Sequence, residues 1–169
     1  MTETGRCLVT WERFGFSFEG APIWTGTIAA AALRMIQRGD LYAAVAVWLS
    51  EDAYLREQDW IQLVKGDVCW DREYGCALAL GVRLRGERTT TGSNQGGVVA
   101  RIYVSDMLRA IDETLQEGEP FFPISAIEYR RSWWAALKDI NCQQICGPPH
   151  SLRHSGPASD AAGHRRTLE

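Results

Sequence analysis

Residues 78–85 read LALGVRLR, and this stretch decides the fold class because it departs from the helical pattern on either side. Apolar side chains occupy its even-numbered positions, whereas Arg83 and Arg85 fall on the opposite face, which is the period of a β-strand. A second alternating run covers residues 98–104, and the loop between the runs is rich in Gly, Ser, Thr and Asn. Two alternating runs joined by such a loop predict an antiparallel hairpin.

The sequence on both sides of the hairpin is predicted to be helical. Two helices rich in Ala and Leu are expected at about 24–38 and 41–50, where Gly39 can end the first and Asp40 can cap the second. After the hairpin, apolar residues at helical spacing run between Ser105, the expected N-cap, and Gly118.

The last predicted helix has the clearest start signal. Ser125 and Glu128 form an S-x-x-E capping box, in which each side chain accepts a hydrogen bond from an otherwise unpaired backbone N–H. Ile127, Trp134 and Leu137 are expected to form its buried stripe. The Gly-Pro-Pro sequence at 147–149 is expected to end the ordered pattern, with a polar tail from His150 onward.

This order of elements predicts a mainly α domain with a small antiparallel β-sheet (α+β). We expect this domain to span residues 23–169, with residues 1–22 as a poorly defined leader that lacks a clear period. No apolar run approaches the roughly 20 residues of a membrane-spanning helix, and the N-terminus does not resemble a signal peptide. The expected location is therefore intracellular, nuclear or cytoplasmic rather than secreted, and the five cysteines are expected to be reduced.

The charge is distributed unevenly. The net charge of −3 does not indicate a nucleic-acid partner, but 16 of the 18 basic residues are arginine. Arg83, Arg85, Arg88 and Arg101 share a stretch with a single acid, Glu87. A basic face on an acidic body is compatible with phosphate binding.

Residues 149–156 read PHSLRHSG and resemble the H-x-L-R-H-[T/S] box of tyrosine recombinases, the phage-integrase family. The resemblance implies that the box opens a helix and that His150 and Arg153 face the scissile phosphate, with His154 bracing the site against the DNA. A planar guanidinium can hold two phosphate oxygens, and an imidazole can assist proton transfer near neutral pH. A helix N-terminus adds partial positive charge.

Two upstream segments resemble other parts of the same family in the same order. Residues 52–57 read DAYLRE and look like the first arginine box, which makes Arg56 the second guanidinium on the phosphate. The alternative is an arginine paired with Glu57 or Asp59 on a polar turn. Residues 88–96 look like the hairpin that carries the family's catalytic lysine, with Arg88 as a DNA-contacting residue and Thr90 where the lysine is usual.

The resemblance covers about residues 40–169 and implies a tyrosine recombinase (integrase) catalytic core. It implies DNA integration or site-specific recombination by strand breakage and rejoining, with double-stranded DNA as partner and no cofactor, and it leaves assembly as a homo-oligomer on DNA open. The family's nucleophilic tyrosine lies downstream of the His150–Arg153 box, whereas all five tyrosines here lie upstream. We therefore expect an inactive fragment, truncated before the nucleophile, of a gene or a decayed mobile element. Pro157 is a further departure, because it would disturb a helix that starts at Ser151.

Three alternatives stay open. Cys142, Cys146, His150 and His154 are spaced by four residues each and are ligand types that zinc prefers, although Gly-Pro-Pro prevents one continuous helix from aligning them. The chain could bind DNA without chemistry. It could also be a helical protein-interaction module that uses Trp133 and Trp134 as surface anchors.

Overall fold

The protein is mostly helical with a three-stranded antiparallel sheet, which confirms the predicted fold class at that level. The computed structural model describes residues 22–71, 75–79 and 96–163. The elements, in chain order, are α1 (Thr25–Gln37), α2 (Leu41–Asp52), α3 (Glu57–Ile61), β1 (Val68–Asp71), β2 (Gly75–Ala79), β3 (Gly96–Val99), α4 (Ile102–Asp112), α5 (Ala126–Asp139), a 3₁₀ turn (Pro149–Ser151) and α6 (Leu152–Gly163).

Helix α2 is the centre of the fold. Its apolar residues lie on all sides and it packs against α1, α4, α5 and α6, as expected of a helix without a polar face. The predicted bounds of α1 and α2 agree with the structure, and Gly39 makes the turn between them with a φ of +86°. Asp40 occupies the N-cap position of α2, but its carboxylate accepts a hydrogen bond from the Ser132 hydroxyl (2.7 Å) instead of capping the helix.

The sheet contains an antiparallel pair near the predicted hairpin, but both strands begin before the predicted runs, β2 at Gly75 and β3 at Gly96, and a further strand was not predicted. Strand β2 pairs with β3 through Ala77 and Val98, and with the additional strand β1 through Val68 and Leu78. Cys76 and Leu78 are buried while Ala77 between them is exposed, which is the period of a strand, but of the predicted run 78–85 this tests only Leu78. The rest of the predicted first strand and its loop, residues 80–95, lie outside the described residues, as do residues 1–21 of the predicted leader.

The prediction of a strand over 98–104 is wrong beyond Val99. The backbone N–H groups of Ala100 and Arg101 both donate to the Asp52 carboxylate (2.9 and 3.1 Å), which turns the chain, and α4 begins at Ile102. Ser105 is a buried residue inside α4 and does not cap it.

Helix α5 begins as predicted but buries a different stripe. The capping box is present, with Glu128 N–H donating to the Ser125 hydroxyl oxygen (3.2 Å) and Ser125 N–H donating to the Glu128 carboxylate (2.8 Å). Ile127 and Trp134 are 68% and 37% exposed, so two of the three predicted stripe residues are wrong. The buried face is Tyr129, Trp133, Ala136 and Leu137.

An aromatic cluster joins α3 to α5. The Trp60 ring lies 4.8 Å from the Tyr129 ring and 5.2 Å from the Phe122 ring, both edge to face, and all three side chains are buried. Edge-to-face contacts of this kind add to the free energy that area burial alone provides. The cluster therefore anchors the short helix α3, which follows Arg56.

The predicted polar tail after His150 is instead helix α6, packed on α2. Leu152 is fully buried, and the Ser155 hydroxyl accepts a hydrogen bond from the Ile23 backbone N–H (2.7 Å). Pro157 lies inside the helix, so the carbonyl of Arg153 loses one intrahelical donor without ending the helix. None of the helices in the described part of the chain is long and apolar enough to cross a membrane.

Candidate functional site

Helix α6 approaches the end of α2 so closely that only glycine fits between them. A Cβ added at Gly156 would overlap the carbonyl oxygen of Glu51 and the ring of Tyr54. A backbone approach of this kind requires a residue without a side chain. The two sequence motifs, around Arg56 and around Arg153, therefore belong to segments that touch.

Tyr54 makes the contact from the α2 side. Its backbone has a φ of +58°, a left-handed conformation that non-glycine residues seldom adopt, and its hydroxyl donates a hydrogen bond to the Asp160 carboxylate. We call this set of interactions, made by Glu51, Tyr54, Gly156 and Asp160, the Tyr54–α6 contact. Gly156 and Asp160 follow Arg153 by three and seven residues. At this helical spacing the three residues share the face of α6 that meets Tyr54.

Arg56 lies two residues beyond Tyr54 and presents an exposed guanidinium. The two acids that could neutralise it have other partners. Asp59 accepts a hydrogen bond from the Arg56 backbone N–H (2.7 Å), and the Glu57 carboxylate is held by the Arg130 guanidinium at 2.6 and 3.1 Å. Within residues 22–71, 75–79 and 96–163 the Arg56 guanidinium forms no ion pair, so the alternative in which Glu57 or Asp59 neutralises it is wrong.

The other predicted site residues gather at the N-terminal end of α6. His150 lies in the 3₁₀ turn that leads into the helix, and its ring centroid is 5.4 Å from that of His154, edge to face. Arg153, which lies between the two histidines in the sequence, is half-buried. Partial desolvation lowers the pKa of His154, and the charges of His150 and Arg153 lower it further.

The cationic groups at this end of α6 suit an anion. The N-terminal end of a helix carries a partial positive charge, although the backbone N–H groups of Ser151 and Leu152 are already bonded within the 3₁₀ turn. Arg153 adds a full charge, and the two imidazoles can donate or accept a proton. The arrangement can therefore hold a phosphate-like group and move a proton to or from it.

Two predicted features of the site lie elsewhere or outside the described residues. Arg88 and Thr90, on the predicted hairpin, are not among the described residues. The described part of the chain holds no group of three or more His, Cys, Asp or Glu side chains placed to bind a metal ion. Cys146 is buried, and this burial, with a smaller contribution from Cys142, raises its pKa to about 11.

A buried charge cluster beside the site escaped the sequence analysis. Glu51 is fully buried and forms a bidentate ion pair with Arg101, whose side chain is only 10% exposed. The Asp52 carboxylate lies 3.8 Å from the same guanidinium and accepts the hydrogen bonds that begin α4. Arg101, one of the four arginines of the basic stretch, therefore does not contribute to a basic face, because its charge is neutralised inside the protein.

Comparisons with protein-family models, with characterised proteins and with solved structures give no significant match for this chain.

Proposed function

We propose that this chain forms part of a tyrosine-recombinase catalytic core and that Arg56, His150 and Arg153 bind a phosphodiester of double-stranded DNA. The observation that carries the proposal is the Tyr54–α6 contact. It brings together two segments that are far apart in sequence, each of which carries a residue proposed to bind phosphate. The expected biological context is DNA integration or site-specific recombination.

The proposed chemistry rests on charge that the fold leaves available. Attack on a phosphodiester builds negative charge on its non-bridging oxygens, and two guanidiniums together with a helix N-terminus stabilise that charge. Arg56 is exposed and without an ion-pair partner in the described part of the chain, which is the state that phosphate binding requires. His150 is exposed in the 3₁₀ turn that precedes α6 and would serve proton transfer.

Strand cleavage also needs a nucleophile, and the tyrosines of this sequence do not supply one after Arg153. Tyr54 is close to the site, but its hydroxyl donates to Asp160. The proposal is therefore limited to DNA binding, and a binding measurement is its proper test.

The test is a salt-dependent titration of duplex DNA with the wild-type chain and with the double variant Arg56→Ala/Arg153→Ala. The matched control is Arg34→Ala/Arg131→Ala, which removes the same charge from exposed positions on α1 and α5. We expect the site variant to lose affinity and its plot of log K against log salt to become shallower by roughly one to two units. The control variant should lose much less.

If the two double variants lose DNA affinity equally, the binding depends only on net charge, and the proposed site is contradicted. Absence of DNA binding by the wild-type chain at low salt would contradict the function itself. That outcome would favour the interaction-module alternative, for which the structure offers Trp134, exposed on α5, but not the buried Trp133.

A further inference from the structure

We infer that Tyr54 and Asp160 are positioning residues that hold Arg56 in place for the phosphate. The inference rests on the proposed function, because it concerns how the same site is built. Neither residue needs to touch DNA. They would act through the backbone that carries Arg56.

The first step of the argument is the conformation of Tyr54. A non-glycine residue in the left-handed region persists only where its surroundings stabilise it. Here the surroundings are specific: the ring lies against Gly156, and the hydroxyl donates to Asp160, which is 106 residues away in sequence. Tyr54 is thus held at both its ring and its hydroxyl by a single helix, α6.

The second step is the short path from Tyr54 to Arg56. Leu55, the residue between them, is 5% exposed and packs near the backbone of β3 at Gly97. On the far side, the backbone N–H of Arg56 is bonded to Asp59. The chain from Tyr54 to Asp59 is therefore fixed at both ends and in its middle.

The third step is the isolation of the Arg56 side chain. No ion pair within the described residues orients its guanidinium. Its place relative to Arg153 then depends on the backbone, and the backbone depends on the Tyr54–α6 contact. Arg153 shares the contacting face of α6 with Asp160, so the same hydrogen bond sets the two arginines relative to each other.

The experiment measures DNA affinity and its salt dependence for Tyr54→Phe, which keeps the ring and removes the hydroxyl without changing charge. We expect a loss of about three- to tenfold, the effect of one hydrogen bond on an equilibrium, with a shallower salt dependence. Tyr42→Phe is the matched control, because Tyr42 is half-buried on α2 and packs against the core. Circular dichroism and thermal melting verify that each variant is folded.

Two comparisons separate positioning from a merely structural role. In the Arg56→Ala background Tyr54→Phe should cost nothing further, whereas in the control background Arg34→Ala/Arg131→Ala it should keep its full effect. Asp160→Asn and Asp160→Ala carry the same charge, but only the asparagine can still accept the hydroxyl hydrogen bond. Asp160→Asn should therefore bind DNA several-fold more tightly than Asp160→Ala.

The outcomes distinguish this inference from the proposed function. If Arg56→Ala weakens binding and Tyr54→Phe does not, the positioning role is wrong and the function stands. An equal loss from Tyr54→Phe with and without Arg56 also overturns positioning, because it indicates a general structural effect. If neither arginine variant changes affinity, the function fails and this inference fails with it.

Discussion

The carbonyl oxygen of Glu51 occupies the space that a side chain on Gly156 would need. Gly156→Ala should therefore destabilise the protein, because the obstacle is backbone, which cannot move aside as a flexible side chain does. Overpacking of this kind costs roughly 1–3 kcal/mol, and urea unfolding followed by circular dichroism measures it.

Gly26→Ala is the matched control for this prediction. It lies in α1, and the atoms nearest to its added Cβ belong to the ring of Trp24, which is 78% exposed and can swing away. The change should be neutral or stabilising by up to about 1 kcal/mol, since alanine favours helix over glycine. Wild-type stability of Gly156→Ala would show that α6 does not pack on α2 as described.

Removing one partner of the buried ion pair between Glu51 and Arg101 should be strongly destabilising. Arg101→Met leaves a fully buried carboxylate without its counter-charge, and such changes cost roughly 3–5 kcal/mol. The double variant Glu51→Met/Arg101→Met should recover part of that loss, because the buried charge of Glu51 is gone while Asp52 keeps its hydrogen bonds from the backbone N–H groups of residues 100 and 101. Chemical denaturation measures the free energy of unfolding of the two variants. If the single variant is no less stable than the double variant, the buried ion pair is contradicted.

His154 should titrate below the ordinary value of 6.5 in the folded protein. Since the unfolded chain then binds this proton at higher pH than the folded protein does, acidification through pH 6.5 should lower the free energy of unfolding. Arg153→Ala should raise the pKa of His154, because it removes a neighbouring positive charge. An NMR titration of the imidazole protons measures the pKa of His154 in the wild-type protein and in the variant. A His154 pKa above 6.5 in the wild type would refute the described environment.

The same titration reports on the proposed ligand. A phosphate group bound beside His150 and Arg153 adds negative charge, so saturating duplex DNA should raise the pKa of His154. A pKa unchanged by DNA, under conditions in which the chain binds it, would locate the contact elsewhere.

Cysteine reactivity should follow burial. Cys146, with a pKa raised to about 11, holds almost no thiolate near neutral pH, whereas Cys69 is exposed on β1. Brief alkylation of the folded protein followed by mass spectrometry should label Cys69 and spare Cys146. In denaturant both should react, and rapid labelling of Cys146 in the native protein would be inconsistent with its packing.

Local signals in the sequence were enough to predict much of the fold. The capping box of Ser125 and Glu128 and the turn at Gly39 depend on a few neighbouring residues, so the pattern alone locates them. That Trp133 is buried in the core, and not the expected Trp134, was not predictable in this way. Adjacent tryptophans differ only in which one meets the rest of the protein, and Trp133 donates its indole N–H to the distant Gly147 carbonyl.

The start of α4 and the availability of Arg56 depend on long-range contacts. Asp52 turns the chain at Ala100 and Arg101 from 48 and 49 residues away, overriding the strand pattern there. Arg130 engages Glu57 across 73 residues and so keeps that acid from Arg56. By contrast, the grouping of His150, Arg153 and His154 follows from helical spacing and was visible in the sequence.

The Tyr54–α6 contact also has a consequence for the order of events during synthesis. Arg56 emerges from the ribosome early, while its partners on α6 are translated about a hundred residues later. Until α6 docks, the surface of α2 that Leu152 covers stays exposed, and the segment that carries Arg56 lacks its contact with α6. A growing chain can thus complete the inner helices first, and the proposed phosphate site is assembled only when the last helix packs on them.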